Sequence, residues 1–177
     1  STVAVRPQAG GAVTQVSFRE GDEVAAGQLL FTIDPRPYEA ALAQAKANLA
    51  RDRARLAEAG KTLERYRELV AKEYVTREQF DQAQANSEAL VATIEGDEAA
   101  VEQAKLNLAY CRVTAPIAGR TGSLLVHAGN LVRAGDDKAL VTINRIEPIR
   151  VAFSLPERDL LAVQERARKA RLAVTAT

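Results

Sequence analysis

The chain is predicted to be an α+β protein, a small β domain cut in two by an antiparallel α-helical coiled-coil hairpin. Three observations in its 177 residues carry that expectation. A motif of alternating apolar and polar residues with glycine turns occurs twice, at 11–34 and at 119–144. Between the copies, apolar residues recur at steps of three and four. Composition switches near Tyr38 to a segment rich in Ala, Arg, Glu and Gln, and switches back near Arg112.

The first copy reads G-x-V-x-x-V-x-F-x-x-G-D-x-V-x-x-G-x-x-L-x-x-I-D, starting at Gly11. Val13, Val16 and Phe18, then Leu29, Phe31 and Ile33, alternate with their neighbours as short half-buried strands do. Gly21-Asp22 is a turn signal, because both residue types tolerate positive φ, and Gly27 ends the next strand.

The first helix is expected to open after Asp34-Pro35-Arg36-Pro37, with Pro37 suited to a first turn. Its seam runs Leu42, Ala45, Leu49, Asp52, Leu56, Ala59, Leu63, Tyr66, Val70. Thr76-Arg77-Glu78-Gln79 follows as a capping box, and Val75 and Phe80 stand where a hydrophobic staple needs them. The turn is thus placed at 71–75. The second seam runs Phe80, Ala83, Ser87, Leu90, Ile94, Asp97, Val101, Ala104, Leu108, Cys111. Both hold phase for about four heptads, the pattern of a coiled coil. Each helix should be on the order of 50 Å long. Leu49, Leu56 and Leu63 are expected to face Leu90, Ile94 and Val101. Asp52 and Asp97 interrupt the seams, as a hydrated layer or as a device that fixes register. Arg51, Arg53 and Arg55 read as a solvated face, or as one that meets a neighbouring copy.

In the second copy Gly119 matches Gly11, Leu124 matches Val16 and Val126 matches Phe18. Gly129, Val132 and Gly135 match Gly21, Val24 and Gly27, and after a two-residue insertion Leu140 and Ile143 match Leu30 and Ile33. Each half is too small to bury a core alone. Strand contacts are therefore expected between the 13–33 and 124–143 regions.

Lys and Arg total 24 and Asp and Glu 23, which removes the electrostatic case for nucleic acid or an anionic membrane as partner. No run approaches the ~20 apolar residues of a membrane span. No signal sequence opens the chain, which reads as a fragment beginning and ending on strands. Cys111 is the single cysteine, so an intramolecular disulfide is excluded, and its seam position suits packing. One His and no Met leave no cluster of soft or imidazole metal ligands. Nucleophile-elbow, phosphate-loop and zinc motifs are absent. No catalytic residue, cofactor site or metal site is expected.

The doubled motif resembles the two halves of a biotinyl/lipoyl domain, a flattened β-barrel of two similar four-stranded units. Carriers of that family hold a modified lysine where the halves join. Here helices replace the join, no E-T-D-K-A or A-M-K-M element occurs, and Lys138 lies near the end of the second copy. These departures oppose a carrier function. The whole plan, a split lipoyl-like domain with a long hairpin, resembles the periplasmic adaptor (membrane fusion) proteins of resistance-nodulation-division (RND) type tripartite efflux pumps. The most specific stretch is 107–120, N-L-A-Y-C-R-V-T-A-P-I-A-G-R, similar to the family's N-L-x-Y-x-x-[IV]-x-[AS]-P-x-x-G-R return from hairpin to β domain. Residues 146–151 and 153–157 are similar to the entry into an adjoining β-barrel domain, with a short helix at 160–167 and a strand at 172–177. The expected domains are 1–35 and 113–145 for the two lipoyl-like halves, 36–112 for the hairpin, and 146–177 for a partial β-barrel domain.

Arg65-x3-Leu69-x6-Thr76 matches the family's R-x3-L-x6-S docking motif for TolC-class outer-membrane channels, with Thr in place of Ser. The resemblance implies a non-enzymatic adaptor in the periplasm of a Gram-negative bacterium, attached to the inner membrane through a segment absent from this chain. It would link a proton-driven RND-type transporter to the channel, six copies side by side forming a tube from their hairpins. An adaptor of an ATP-driven exporter or a type I secretion system is the alternative. The missing Met and single His weigh against an adaptor that handles copper or silver.

Overall fold

The structure, a computed structural model, describes residues 2–145. Its elements are β1 (Thr2–Val5), β2 (Gly11–Val16), β3 (Glu23–Val24), β4 (Leu29–Ile33), α1 (Arg36–Val70), α2 (Arg77–Ala109), β5 (Arg112–Thr114), β6 (Gly119–Thr121), β7 (Leu131–Val132) and β8 (Val141–Asn144). Each strand before the hairpin pairs with one after it, in nested order: β1 with β8, β2 with β7, β3 with β6, β4 with β5, all antiparallel. Two four-stranded sheets result, β1-β8-β6-β3 and β5-β4-β2-β7. Each sheet draws two strands from before the hairpin and two from after it, so neither side makes either sheet without the other.

One core serves both sheets. Val13, Leu30, Phe31 and Ile33 from the first copy join Val132, Leu140, Val141 and Ile143 from the second, none more than 6 % exposed. Phe18 meets Phe31 edge to face, ring centres 5.3 Å apart at 81°, the geometry that aromatic quadrupoles favour. The four glycines placed in turns all take positive φ: Gly21 at 80° and its counterpart Gly129 at 91°, Gly27 at 82° and Gly135 at 74°.

The copies differ where the motif did not foretell it. Leu124 and Val126 lie beyond β6, half-buried but outside any strand. The Leu124 N–H donates instead to a Glu20 carboxylate oxygen at 2.6 Å, so a side chain takes the place of a strand partner. Cys111 also departs from expectation. It is no helical seam residue: α2 ends at Ala109, and Cys111 lies one residue past the cap, 1 % exposed within the β core. The seam period runs on past the helix end because the same side of the chain stays buried as it enters β5.

The hairpin itself follows its heptads. Every seam residue of α1 and α2 is buried or half-buried. Arg53 pairs with Glu98 at 2.7 Å, and Asp97 lies against Asp52. That register puts Leu49 beside Val101, with which it lines one groove, and Ala59 beside Leu90, which line another. Leu56 then falls level with Ile94 and Leu63 level with Ser87. At the base, the Tyr38 hydroxyl donates to the Gly10 carbonyl at 2.8 Å and accepts the Gly10 N–H at 3.0 Å, tying the first turn of α1 to the β domain. The barrel entry, the helix at 160–167 and the strand at 172–177 lie outside the described residues.

Candidate functional site at the hairpin tip

The tip is built by a helix stop, a short turn and a helix start. At the stop, the Tyr74 N–H donates to the Leu69 carbonyl at 3.0 Å and the Glu73 N–H to the Val70 carbonyl at 3.1 Å. These are the two bonds of a Schellman motif, in which the residue before the last donor adopts a left-handed backbone. That residue is Glu73, at φ 59°, where glycine is the usual choice. At the start, Thr76 caps α2: the Gln79 N–H donates to the Thr76 hydroxyl at 3.2 Å and the Thr76 N–H to the Gln79 side-chain oxygen at 3.0 Å. Both members of the capping box are therefore made, and Val75 and Phe80 beside it are half-buried.

The three residues singled out from sequence fall within this region in different surroundings. Arg65 is exposed and joins no ion pair among the described residues. Leu69, four residues on and so on the same side of α1, is half-buried, and its carbonyl accepts the turn's hydrogen bonds. Thr76 stands across the turn, exposed, its hydroxyl committed to the cap. The sequence pattern gave Glu73 and Tyr74 no role. Tyr74 is out of phase with both seams, and that was the available signal.

Along the shaft the polar layer is asymmetric. Asp52, 2 % exposed, accepts from Arg51 at 2.9 and 2.7 Å and from Arg55 at 3.0 Å. The Arg51 guanidinium holds the Asp52 carboxyl down at about 2. Asp97 has a buried carboxylate oxygen with no partner among the described residues. At the base, Arg36 likewise holds Asp34 at about 2 through a pair of 2.6 Å. Burial pushes the Cys111 thiol up, which leaves it a packing group. Among the described residues no group of three or more His, Cys, Asp or Glu could hold a metal, and no helix is long and apolar enough to cross a membrane.

Residues 1–144 match the family model described as the RND MFP (membrane fusion protein) barrel-sandwich hybrid domain. The chain is 46% identical over 176 residues to the multidrug resistance protein MdtA of Erwinia amylovora, covering 99% of this chain and 44% of that protein. It thus spans less than half the length of such curated relatives. Among solved structures, a MacA–MexA chimera containing the α-hairpin domain of Pseudomonas aeruginosa MexA matches at a TM-score of 0.53 and 33% identity, over 82% of this chain and 48% of that one. ZneB from Cupriavidus metallidurans matches at 0.60 and 29% identity, over 82% and 61%. A β domain split by a heptad hairpin, with the family's own domain model spanning both halves and the insert, leaves one assignment: the chain belongs to the RND membrane fusion proteins, the adaptor family of RND pumps.

Proposed function

We propose that the chain is the central part of a non-enzymatic periplasmic adaptor. It joins an inner-membrane, proton-driven RND transporter to a TolC-class outer-membrane channel, and the parent protein is held at the inner membrane by a segment outside this chain. In this reading 1–35 and 113–145 are the halves of a lipoyl-like platform, 36–112 is the spacer, and 146–177 begins a β-barrel domain. The observation that carries the reading is the site's position. The platform's core is complete, yet it supports two helices on the order of 50 Å long whose far end presents Arg65, Leu69 and Thr76. Arg65 offers a rigid donor fork for carbonyls or a carboxylate on the channel, Leu69 an apolar anchor, and Thr76 the O–H donor that remains while its oxygen accepts in the cap. Relatives carry the name multidrug resistance protein, which favours drug export over secretion of proteins through an ATP-driven system.

Side-by-side assembly of six copies is part of the proposal, and the outer faces of the helices support it. Opposite its seam, α1 exposes Ala40, Ala43, Ala47, Ala50, Ala54 and Ala57, again at steps of three and four. In α2 the equivalent face exposes Ala85, Glu88, Ala92, Glu95, Ala99, Glu102 and Leu106. Helix α1 carries eight Lys and Arg against five Asp and Glu, and α2 two against seven. Copies standing in parallel would set a positive helix against a negative one, with small side chains allowing close approach.

The test is made in cells with the full-length protein. The Arg65→Ala, Leu69→Ser double variant should abolish drug resistance while expression and transporter association persist. Full efflux by that variant at normal expression would rule out the docking site.

A further inference from the structure

We infer that Tyr74 is the main apolar anchor of the hairpin tip on the outer-membrane channel, and that the left-handed backbone of Glu73 presents it. The inference rests on the proposal that the tip docks to that channel, and names a contact residue that the docking motif does not contain.

Tyr74 is the most exposed large apolar side chain among the described residues, at 75 %. The ring lies outside both seams and is left to solvent. Tyr is enriched in interface hot spots because it offers a broad apolar face and a polar end. Its position is fixed by the backbone. In a Schellman motif the residue after the left-handed one comes back over the turn it caps, and it commonly makes an apolar contact there. The residue four positions before Glu73 in that motif is Leu69, whose carbonyl accepts the Tyr74 N–H. The motif thus brings position 74 back beside the last turn of α1, next to position 69 of the docking motif.

The backbone at Glu73 supports the same conclusion. It is the only non-glycine residue with positive φ among those described, a conformation disfavoured for a residue with a Cβ. Such strain is concentrated at functional sites. The charges around the tip, from Glu64 to Glu78, comprise four acidic and four basic residues. Net charge therefore does not select the partner, and the apolar surface does.

The experiment measures binding of the full-length protein, in detergent, to a purified TolC-class channel. Tyr74→Ala should weaken binding about tenfold or more, Tyr74→Phe should retain most of it, and helicity should be unchanged in both. A photo-crosslinking amino acid at position 74 should capture the channel, while one at position 54 on the shaft should not. If Tyr74→Ala binds like the parent while the Arg65→Ala, Leu69→Ser variant does not, the inference is wrong and the docking reading stands. If all these variants bind like the parent, or the parent does not bind, both fall.

Discussion

The β domain and the hairpin are stabilised in opposite ways. Leu30, Phe31, Ile33, Val141 and Ile143 are wholly enclosed, whereas α1 and α2 bury only two residues each, and one of those is Asp52. The β core is finished within the chain. The hairpin is a seam one side chain deep, with most of each helix facing outward. Stability of the β domain is thus an internal matter, while the hairpin leaves most of its surface exposed and tolerates a charged layer in the middle of its contact.

The contrast is broken most severely by removing Phe31. Phe31→Ala should cost about 3–5 kcal/mol and abolish cooperative unfolding of the β domain; a melt within a few degrees of the parent would show that the core is not shared between the halves. In the seam the same logic gives a smaller figure. Leu56→Asp places a charge at a half-buried level of the hairpin, for a loss of about 2–3 kcal/mol. Unchanged helicity and thermal stability would disprove the seam assignment.

Acid sharpens the comparison, because the salt-bridged carboxylates belong to the hairpin and its base. Asp52 is held at about 2 against an ordinary 3.8, and Asp34 similarly. A depressed carboxyl stabilises the fold above its unfolded value and loses that contribution as pH falls through the folded one. Hairpin stability should therefore decline between about pH 4 and about pH 2, and Asp52→Asn should flatten that decline. An identical acid profile for the variant would mean the Arg51 pair contributes nothing. Smallest is the cap: Thr76→Ala should lower hairpin stability by about 1 kcal/mol and Thr76→Ser by much less, measured by thermal melts. Equal losses would show that the hydroxyl bond is irrelevant.

Periodicity made the hairpin legible. Seams of nine and ten residues were placed in phase, and only Cys111 fell outside its helix, because burial continued after the helix stopped. The capping box at Thr76 was equally plain, since each of its residues is chemically specific. Glycine doublets located the β turns, but the nested pairing of strands needed the structure: alternation says which face is buried and not which neighbour a strand chooses. The stop of α1 was hidden for a related reason. Its left-handed position carries Glu73, and a rule keyed to glycine passes over it. The Tyr38–Gly10 bonds join residues far apart in sequence and leave no local trace. The docking role of Arg65, Leu69 and Thr76 came from a resemblance, and their positions alone do not assign it.

The two strands that flank the hairpin are each other's neighbours: Leu29 pairs with Thr114, Phe31 with Val113 and Thr32 with Arg112. The chain leaves the platform and returns to it through a single doorway. An insert that departs and arrives at adjacent points can be exchanged or resized while its host folds as before. Matched additions of seven residues to each helix would keep the seam in phase and extend the shaft by about 10 Å. The hairpin is in that sense an adjustable ruler, and a lineage could change its length by editing one interval of its gene while the β domain stays as it is.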